Sequence, residues 1–216
     1  ALLSGRCRRK LDGIEMSDSL SWDAHKWMQQ TFACSMVLVR DQSYLENSFA
    51  THPEYLKDAQ AEENSIEFWD LGPELTRPAR SLKLWMTLQI LGTDAMEAAI
   101  DHSCSMAELA ENLVASDSDW EIISHAQLGI VNFRYAPAGL SADQIDAINQ
   151  NLAKEITDSG YAQIFTTILK GKKVLRLCTL HPETTEEDIR TTIQKLKQSH
   201  LLLPFSSSVE KTKAAS

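Results

Sequence analysis

The run Ser21-Trp22-Asp23-Ala24-His25-Lys26-Trp27 sets a primary amine between an imidazole and two indoles. Neighbours that exclude water disfavour the ammonium form, so a lysine in such surroundings is biased toward the neutral amine that attacks a carbonyl and forms an imine. The same spacing suits an ordinary lysine on an amphipathic turn beside a core tryptophan, and from composition alone that plainer use is the commoner one. A second candidate is Arg176, in Val174-Leu175-Arg176-Leu177-Cys178-Thr179. In a strand it shares a face with Val174 and Cys178. An arginine with apolar flanks requires an anionic partner, either a ligand carboxylate or a neighbouring Asp or Glu. Other residue types offer less. His52, His102, His125, His181 and His200 lack metal-ligand spacing, so no metal is expected. Cys7, Cys34, Cys104 and Cys178 are widely spaced with no CxxC pair, which predicts reduced, structural thiols. Arg77 and Arg80 suit packing and ion pairs at a helix start, and no Gly-rich phosphate loop is present.

The elements that must position these groups follow from periodicity. Met36, Val37, Leu38 and Val39 read as a buried strand just after the lysine segment. Across 41–72 the hydrophobic pattern collapses, which predicts a long loop of the kind that carries function. From Pro78 the chain is apolar on nearly every side, through Leu82, Leu84, Trp85, Met86, Leu88 and Leu91, and predicts a buried helix ending at Gly92. Thr93 and Asp94 offer a cap for a second helix with the stripe Met96, Ile100 and Cys104, continuing to about Val114. The polar tract 116–119 closes it. Beyond it come strand-like 120–123 and 130–135, a helix from Ser141, a strand pair around 162–179 and a helix from Thr184. Both helices carry capping boxes, Ser141 with Gln144 and Thr184 with Glu187. Lys170, Gly171 and Lys172 suit the hairpin turn of the strand pair. The order β, β, α, β, β, α predicts a small α+β domain with its helices on one face of the sheet.

The whole chain has 216 residues, 43% of them hydrophobic, enough for one large or two small domains. A net charge of -9 opposes long-range attraction to nucleic acid or to an anionic membrane, and neither is expected as a partner. No apolar run reaches the roughly 20 residues of a membrane helix. The N-terminus lacks a clear signal-peptide pattern, and a cytoplasmic location is expected. The first residue is Ala, and the opening ALLSGRCRRK has no obvious structural start, as in a processed, split or truncated chain.

The stretch LDGIEMSDSLSWDAHKW closely resembles the cofactor-lysine segment of the group II pyridoxal-phosphate-dependent amino-acid decarboxylases, which include aromatic-amino-acid, glutamate, cysteine-sulfinate and diaminobutyrate decarboxylases. Asp23, His25, Lys26 and Trp27 match the motif, while Ala24 replaces its usual proline. The resemblance runs over nearly the whole chain: Arg80-Ser81-Leu82-Lys83-Leu84-Trp85 matches a family helix start, and His52-Pro53-Glu54-Tyr55-Leu56 is similar to a segment of the mobile active-site loop. It implies that Lys26 holds pyridoxal 5'-phosphate as a Schiff base, that His25 lies beside the cofactor where it could donate to the phosphate, and that Arg176 binds the substrate carboxylate. It implies too that Tyr55 protonates the carbon once carbon dioxide has left. A phenol on a lid that excludes water can serve as that acid. Tyrosine rather than phenylalanine there favours decarboxylation over aldehyde formation.

The fold implied is α/β, the C-terminal part of a fold-type I enzyme of the aminotransferase-like kind. Residues 1–116 would belong to the large cofactor domain, with a mobile loop at 41–72. Residues 117–203 would form the small α+β domain, and 204–216 a disordered tail. In the family the aspartate that pairs with the pyridine nitrogen, the histidine that stacks on the ring and most of the phosphate turn lie upstream of this sequence. The resemblance therefore implies a partner polypeptide carrying the N-terminal half, a homodimer-like assembly of the paired halves and a small amino-acid substrate. The product is expected to be the amine and carbon dioxide. An aldehyde synthase or transaminase, and a non-catalytic scaffold or interaction module, are the alternatives; retention of both Lys26 and Tyr55 favours an enzyme.

Overall fold

Ser141 lies in extended backbone, and its hydroxyl accepts the Gln144 N–H at 3.3 Å while the Gln144 side chain accepts the Ser141 N–H at 2.9 Å. This reciprocal pair satisfies two of the N–H groups that a helix leaves open at its start. The helix it begins spans Ala142–Asp158 and turns Ile145, Ile148, Leu152 and Ile156 inward. The computed structural model describes residues 1–51 and 67–199, and the elements fall in the following order. Strands β1 (Ser19–Asp23) and β2 (Ser35–Val39) precede a short helix α1 (Ser43–Phe49) and a long helical run α2 (Arg80–Ala115). Then come β3 (Trp120–Gln127), β4 (Ile130–Tyr135), α3 (Ala142–Asp158), β5 (Phe165–Leu169), β6 (Lys172–Cys178) and α4 (Glu186–Ser199). The chain divides into two compact units, one of Arg8–Met96 and the other of Ala1–Cys7 with the chain from Glu97 onward.

In the second of these units β3, β4, β6 and β5 form an antiparallel sheet in that order. The β5–β6 hairpin turns at Lys170 (φ 52) and Gly171 (φ 73), the two positive φ values of a type I′ turn, as the Lys-Gly-Lys sequence predicts. Val131, Phe133 and Tyr135 on β4 and Leu175 and Leu177 on β6 present apolar side chains to the helices. Ile148, Leu152 and Ile156 of α3, Ile189, Ile193 and Leu196 of α4, and Met106, Ala110 and Val114 of α2 complete one core. Asn149, fully buried in α3, accepts the Tyr135 N–H at 2.9 Å and donates to the Tyr135 carbonyl at 2.8 Å, which ties the helix to the end of β4.

Four expectations shift. The strand read as buried at Met36–Val39 forms within β2 but is not buried: Val37 and Leu38 are exposed and Met36 and Val39 are only half-buried, because a short apolar run sets a strand and not what covers it. The second capping box forms one residue later than expected: Thr185 Oγ1 accepts from the Asp188 N–H at 3.1 Å and Asp188 Oδ2 accepts from the Thr185 N–H at 2.8 Å. Thr184 instead closes a turn by donating its N–H to the His181 carbonyl at 3.2 Å, so the chain enters α4 a residue further on. The stretch 41–72 is not wholly loop, since it holds α1 and a 3₁₀ turn, Phe68–Leu71; residues 52–66 lie outside the described residues. A seven-residue helix spans too few turns to leave a periodic signature. The helix expected at 78–92 forms but is not buried: Leu84 is enclosed, whereas Trp85 is 59% and Ile90 75% exposed, with Leu82, Met86 and Leu91 also open. Among the described residues no element covers that face. Gly92, with φ 77 and ψ 169, breaks the helical geometry at the expected end, and Met96, Ile100 and Cys104 beyond it form the buried stripe that their spacing predicts.

Candidate functional site

In the unit of residues 8–96, β1 and β2 pair antiparallel from Ser19 opposite Val39 to Asp23 opposite Ser35. The register places the Ser35 hydroxyl 2.6 Å from Asp23 Oδ1, to which it donates. Past the end of β1 the chain turns back on itself. Ala24 and His25 both donate N–H groups to the Cys34 carbonyl, at 2.8 and 3.2 Å, and Lys26 donates its N–H to the Asp23 carbonyl at 3.3 Å. Ala24 and Cys34 are buried. The Ala24 hydrogen bond is one that a proline, usual at this place in the resembling motif, cannot make.

This turn projects the Lys26 side chain outward. Its amine donates to Asp23 Oδ2 at 2.5 Å, and 64% of the side chain is exposed. The hydrogen bond from Lys26, then that from Ser35, holds the Asp23 carboxyl below its ordinary range. The desolvation expected from the flanking indoles is therefore not supplied by this segment; the two indoles are only half-buried, and the amine points away into solvent beside a carboxylate. Trp27 Nε1 is buried with no acceptor among the described residues. His25 stands edge-on to Phe32, ring centroids 5.1 Å apart, and its Nδ1 lies 3.2 Å from both the N–H and the carbonyl of Cys34. Nδ1 can thus accept from the Cys34 amide or donate to its carbonyl, and the first of these tautomers leaves Nε2 as a donor.

The start of α2 holds this segment in place. Cys34 Sγ donates to the Arg80 carbonyl at 3.4 Å, Gln30 Nε2 donates to Thr87 Oγ1 at 3.1 Å, and the Lys83 amine reaches the Thr31 carbonyl and hydroxyl. Arg80 itself forms a two-pronged ion pair with Glu74, at 2.8 and 3.1 Å, in keeping with a structural role for helix-start arginines. That pairing draws the Glu74 carboxyl down from its usual range.

Of the residues singled out in the sequence, the structure brings His25 and Lys26 together with Asp23 and Ser35. Tyr55 lies outside the described residues. Arg176 belongs to the other compact unit, on β6 opposite Asn132 and Phe165. Val174 is buried as its neighbour, but Arg176 and Cys178 are exposed, and among the described residues no carboxylate pairs with Arg176. The neighbouring Asp or Glu that would have neutralised it is thus not found there; an exposed guanidinium keeps its hydration and does not require one. The pairing of Asp23 with Lys26 went unread in the sequence although their spacing of three residues was visible. The contribution of Ser35 depends on strand register, which leaves no local sign.

Comparison with known proteins places these features in a family. Residues 1–136 match the pyridoxal-dependent decarboxylase conserved domain. The chain is 43% identical over 199 residues to the aromatic-L-amino-acid decarboxylase of Bacillus atrophaeus, an alignment covering 91% of this chain and 42% of that protein. Among solved structures, that of Oryza sativa TDC with PLP and tryptamine superposes with a TM-score of 0.81 at 28% identity, over 91% of this chain and 41% of that one. Catharanthus roseus tryptophan decarboxylase in complex with L-tryptophan gives 0.77 at 32% identity, over 91% and 42%. The chain thus spans about two-fifths of the length of the relatives it matches, and its fold is the corresponding part of a fold-type I enzyme with a small α+β portion. The chain belongs to the pyridoxal-dependent decarboxylase family.

Proposed function

We propose that the chain is the lysine-bearing C-terminal part of a pyridoxal-phosphate enzyme that converts an L-amino acid to its amine and carbon dioxide. The observation that carries this reading is the Lys26 amine, exposed at the end of β1 within the segment that carries the family motif. The donor set fits pyridoxal phosphate: an accessible primary amine for its aldehyde, and beside it an imidazole whose Nε2 can face its phosphate. When bound, the cofactor supplies the electron sink for loss of the carboxylate. Lys26 holds it and must leave Asp23 to do so. Tyr55 delivers a proton to the substrate carbon, and Arg176, a cation with no carboxylate partner among the described residues, binds the substrate carboxylate.

The proposed division assigns 1–116 to the cofactor domain and 117–203 to the small domain. It assigns the group that protonates the pyridine nitrogen to a polypeptide carrying the N-terminal half. Burial supports such a partner. Thirteen of the seventeen large apolar side chains exposed among the described residues, Phe32, Val37, Leu38, Trp85 and Ile90 among them, lie in 8–96, the unit that holds Lys26. Apolar exposure concentrated in this way marks a surface made to be covered. The covering chain would also supply the water exclusion that the Lys26 segment lacks. Two such paired halves would form the dimer, and the sparse, unbridged cysteines suit a cytoplasmic setting.

The test is reductive trapping. The chain is mixed with the upstream part of a family member and pyridoxal phosphate, reduced with borohydride, digested and mapped by mass. The expected result is a pyridoxyl adduct on the Lys26 peptide that increases with the partner and is absent from Lys26→Ala. Equal labelling of the Lys26→Ala chain would overturn the assignment. Product analysis then separates the chemistries: amine with carbon dioxide supports decarboxylation, whereas an aldehyde with peroxide or a keto acid does not.

A further inference from the structure

Four cysteines with no close spacing gave no reason to expect a thiol pair, yet Cys7 Sγ and Cys104 Sγ lie 3.2 Å apart, 97 positions from one another in sequence, with both residues buried. Both belong to the same compact unit, where residues 1–7 form a clip along one face of α2. Ser4 anchors the clip. Its hydroxyl donates to Asp101 Oδ1 at 2.5 Å and accepts the Cys7 N–H at 3.0 Å, which fixes the backbone of Cys7. The Gly5 N–H donates to Glu97 Oε1 at 2.7 Å, and Arg6 donates to Ser105 Oγ at 2.9 Å and pairs with Glu108. Glu97, Asp101, Cys104 and Glu108 recur every three or four residues, with Ser105 beside Cys104, so the clip follows one helical stripe with Cys104 near its middle. Cys34, whose Sγ donates to the Arg80 carbonyl, and the exposed Cys178 have no comparable partner sulfur among the described residues.

We infer that Cys7 and Cys104 are a redox-modification site: they join as a disulfide on exposure to hydrogen peroxide and part again on reduction. Closing from 3.2 Å to the roughly 2.05 Å of a sulfur–sulfur bond requires only a small side-chain movement. Peroxide oxidises one thiol to a sulfenic acid and is itself reduced, releasing one water. The second thiol attacks that sulfur, the S–S bond forms as the S–O bond breaks, and a second water leaves. The two thiols lose two electrons and two protons in all, and one peroxide becomes two waters. Entry to the buried pair comes by opening of the clip, whose bonds from Gly5 and Arg6 to Glu97, Ser105 and Glu108 are solvent-exposed.

The consequence is topological. The chain leaves the clip at Cys7, runs through the unit of Arg8–Met96 that carries Lys26, and returns at Glu97. A Cys7–Cys104 bond therefore closes that whole unit into a covalent loop. Cross-links that close long loops restrict the unfolded chain most and raise stability accordingly.

The experiment treats the unmutated chain with a slight excess of hydrogen peroxide, blocks remaining thiols and maps peptides without reductant. The result expected is one peptide pair linked through Cys7 and Cys104, released by dithiothreitol, with a melting temperature several degrees higher in the oxidised form. A Cys34→Ser, Cys178→Ser chain forms the same link, and Cys104→Ser loses both the link and the dependence of melting on reductant. Recovery of Cys7 and Cys104 as separately blocked or separately oxidised residues, or a link through Cys34 or Cys178, would overturn the inference. The map of the unmutated chain decides this even if Cys104→Ser fails to fold.

Discussion

At the scale of single residues, Lys26 and Asp23 show how much a local sequence says about chemistry. The amine and the carboxylate meet at a spacing of three residues and form an ion pair at a largely exposed position. Such a pair contributes little to stability, so giving it up to a cofactor costs little. The role proposed for the amine rests on its exposed position just past the end of β1. Tyr55, the proposed proton donor, is the residue whose replacement tests the proposed reaction most directly. Changing it to phenylalanine removes the phenolic proton and keeps the ring. In the assembled enzyme, amine formation by Tyr55→Phe is expected to fall by about 10²- to 10⁴-fold, the usual contribution of a positioned acid. Aldehyde should rise in its place. Chromatographic measurement of both products tests this, and an unchanged amine rate would remove Tyr55 from the mechanism.

At the scale of elements, the break in α2 is made by one glycine. Gly92 adopts φ 77 and ψ 169, a region open to glycine alone among ordinary residues. A Cβ placed there would meet nothing within 4 Å, so its cost is in the backbone and not in crowding. Gly92→Ala is expected to destabilise the chain by about 1–3 kcal/mol. A urea melt showing no loss would mean that the helical run continues through this point. The shift of the second capping box from Thr184 to Thr185 has a similar origin. Either threonine could begin α4, with Glu187 or Asp188 three residues on, and the turn closed on the His181 carbonyl selects the later.

At the scale of the whole molecule, the two units differ in how they are stabilised. The unit containing the four-stranded sheet closes a core of its own, while that of residues 8–96 leaves much of its apolar surface open. The sheet unit also carries an ion network in which Glu121 of β3 bonds to Arg134 of β4 and Lys172 of β6. Partial burial would raise the Glu121 carboxyl, but the hydrogen bonds from Lys172 and Arg134 outweigh it, and the group titrates below its ordinary value of 4.5. A carboxyl lowered on folding stabilises the fold fully above its unfolded value, and that contribution disappears as pH falls through the folded value. The unfolding midpoint should therefore drop below pH 4.5, and Glu121→Gln should flatten part of that drop. A Glu121→Gln chain with the same acid sensitivity as the unmutated one would remove the network from the explanation.

The sequence by itself determined the family, the identity of the candidate lysine, the α3 capping box, the β5–β6 turn and the buried stripe of Met96, Ile100 and Cys104. These are local features, written in neighbouring residues or in the short periods of helix and strand. The tertiary structure alone decided that the Lys26 amine faces solvent, that Ser35 donates to Asp23, that the apolar face of Leu82, Trp85 and Ile90 is open, and that Cys7 meets Cys104. Each of these depends on strand register or on packing between distant segments. An apolar side chain in a sequence does not say whether another surface covers it, and two cysteines 97 residues apart become neighbours only when the clip lies down on its helix.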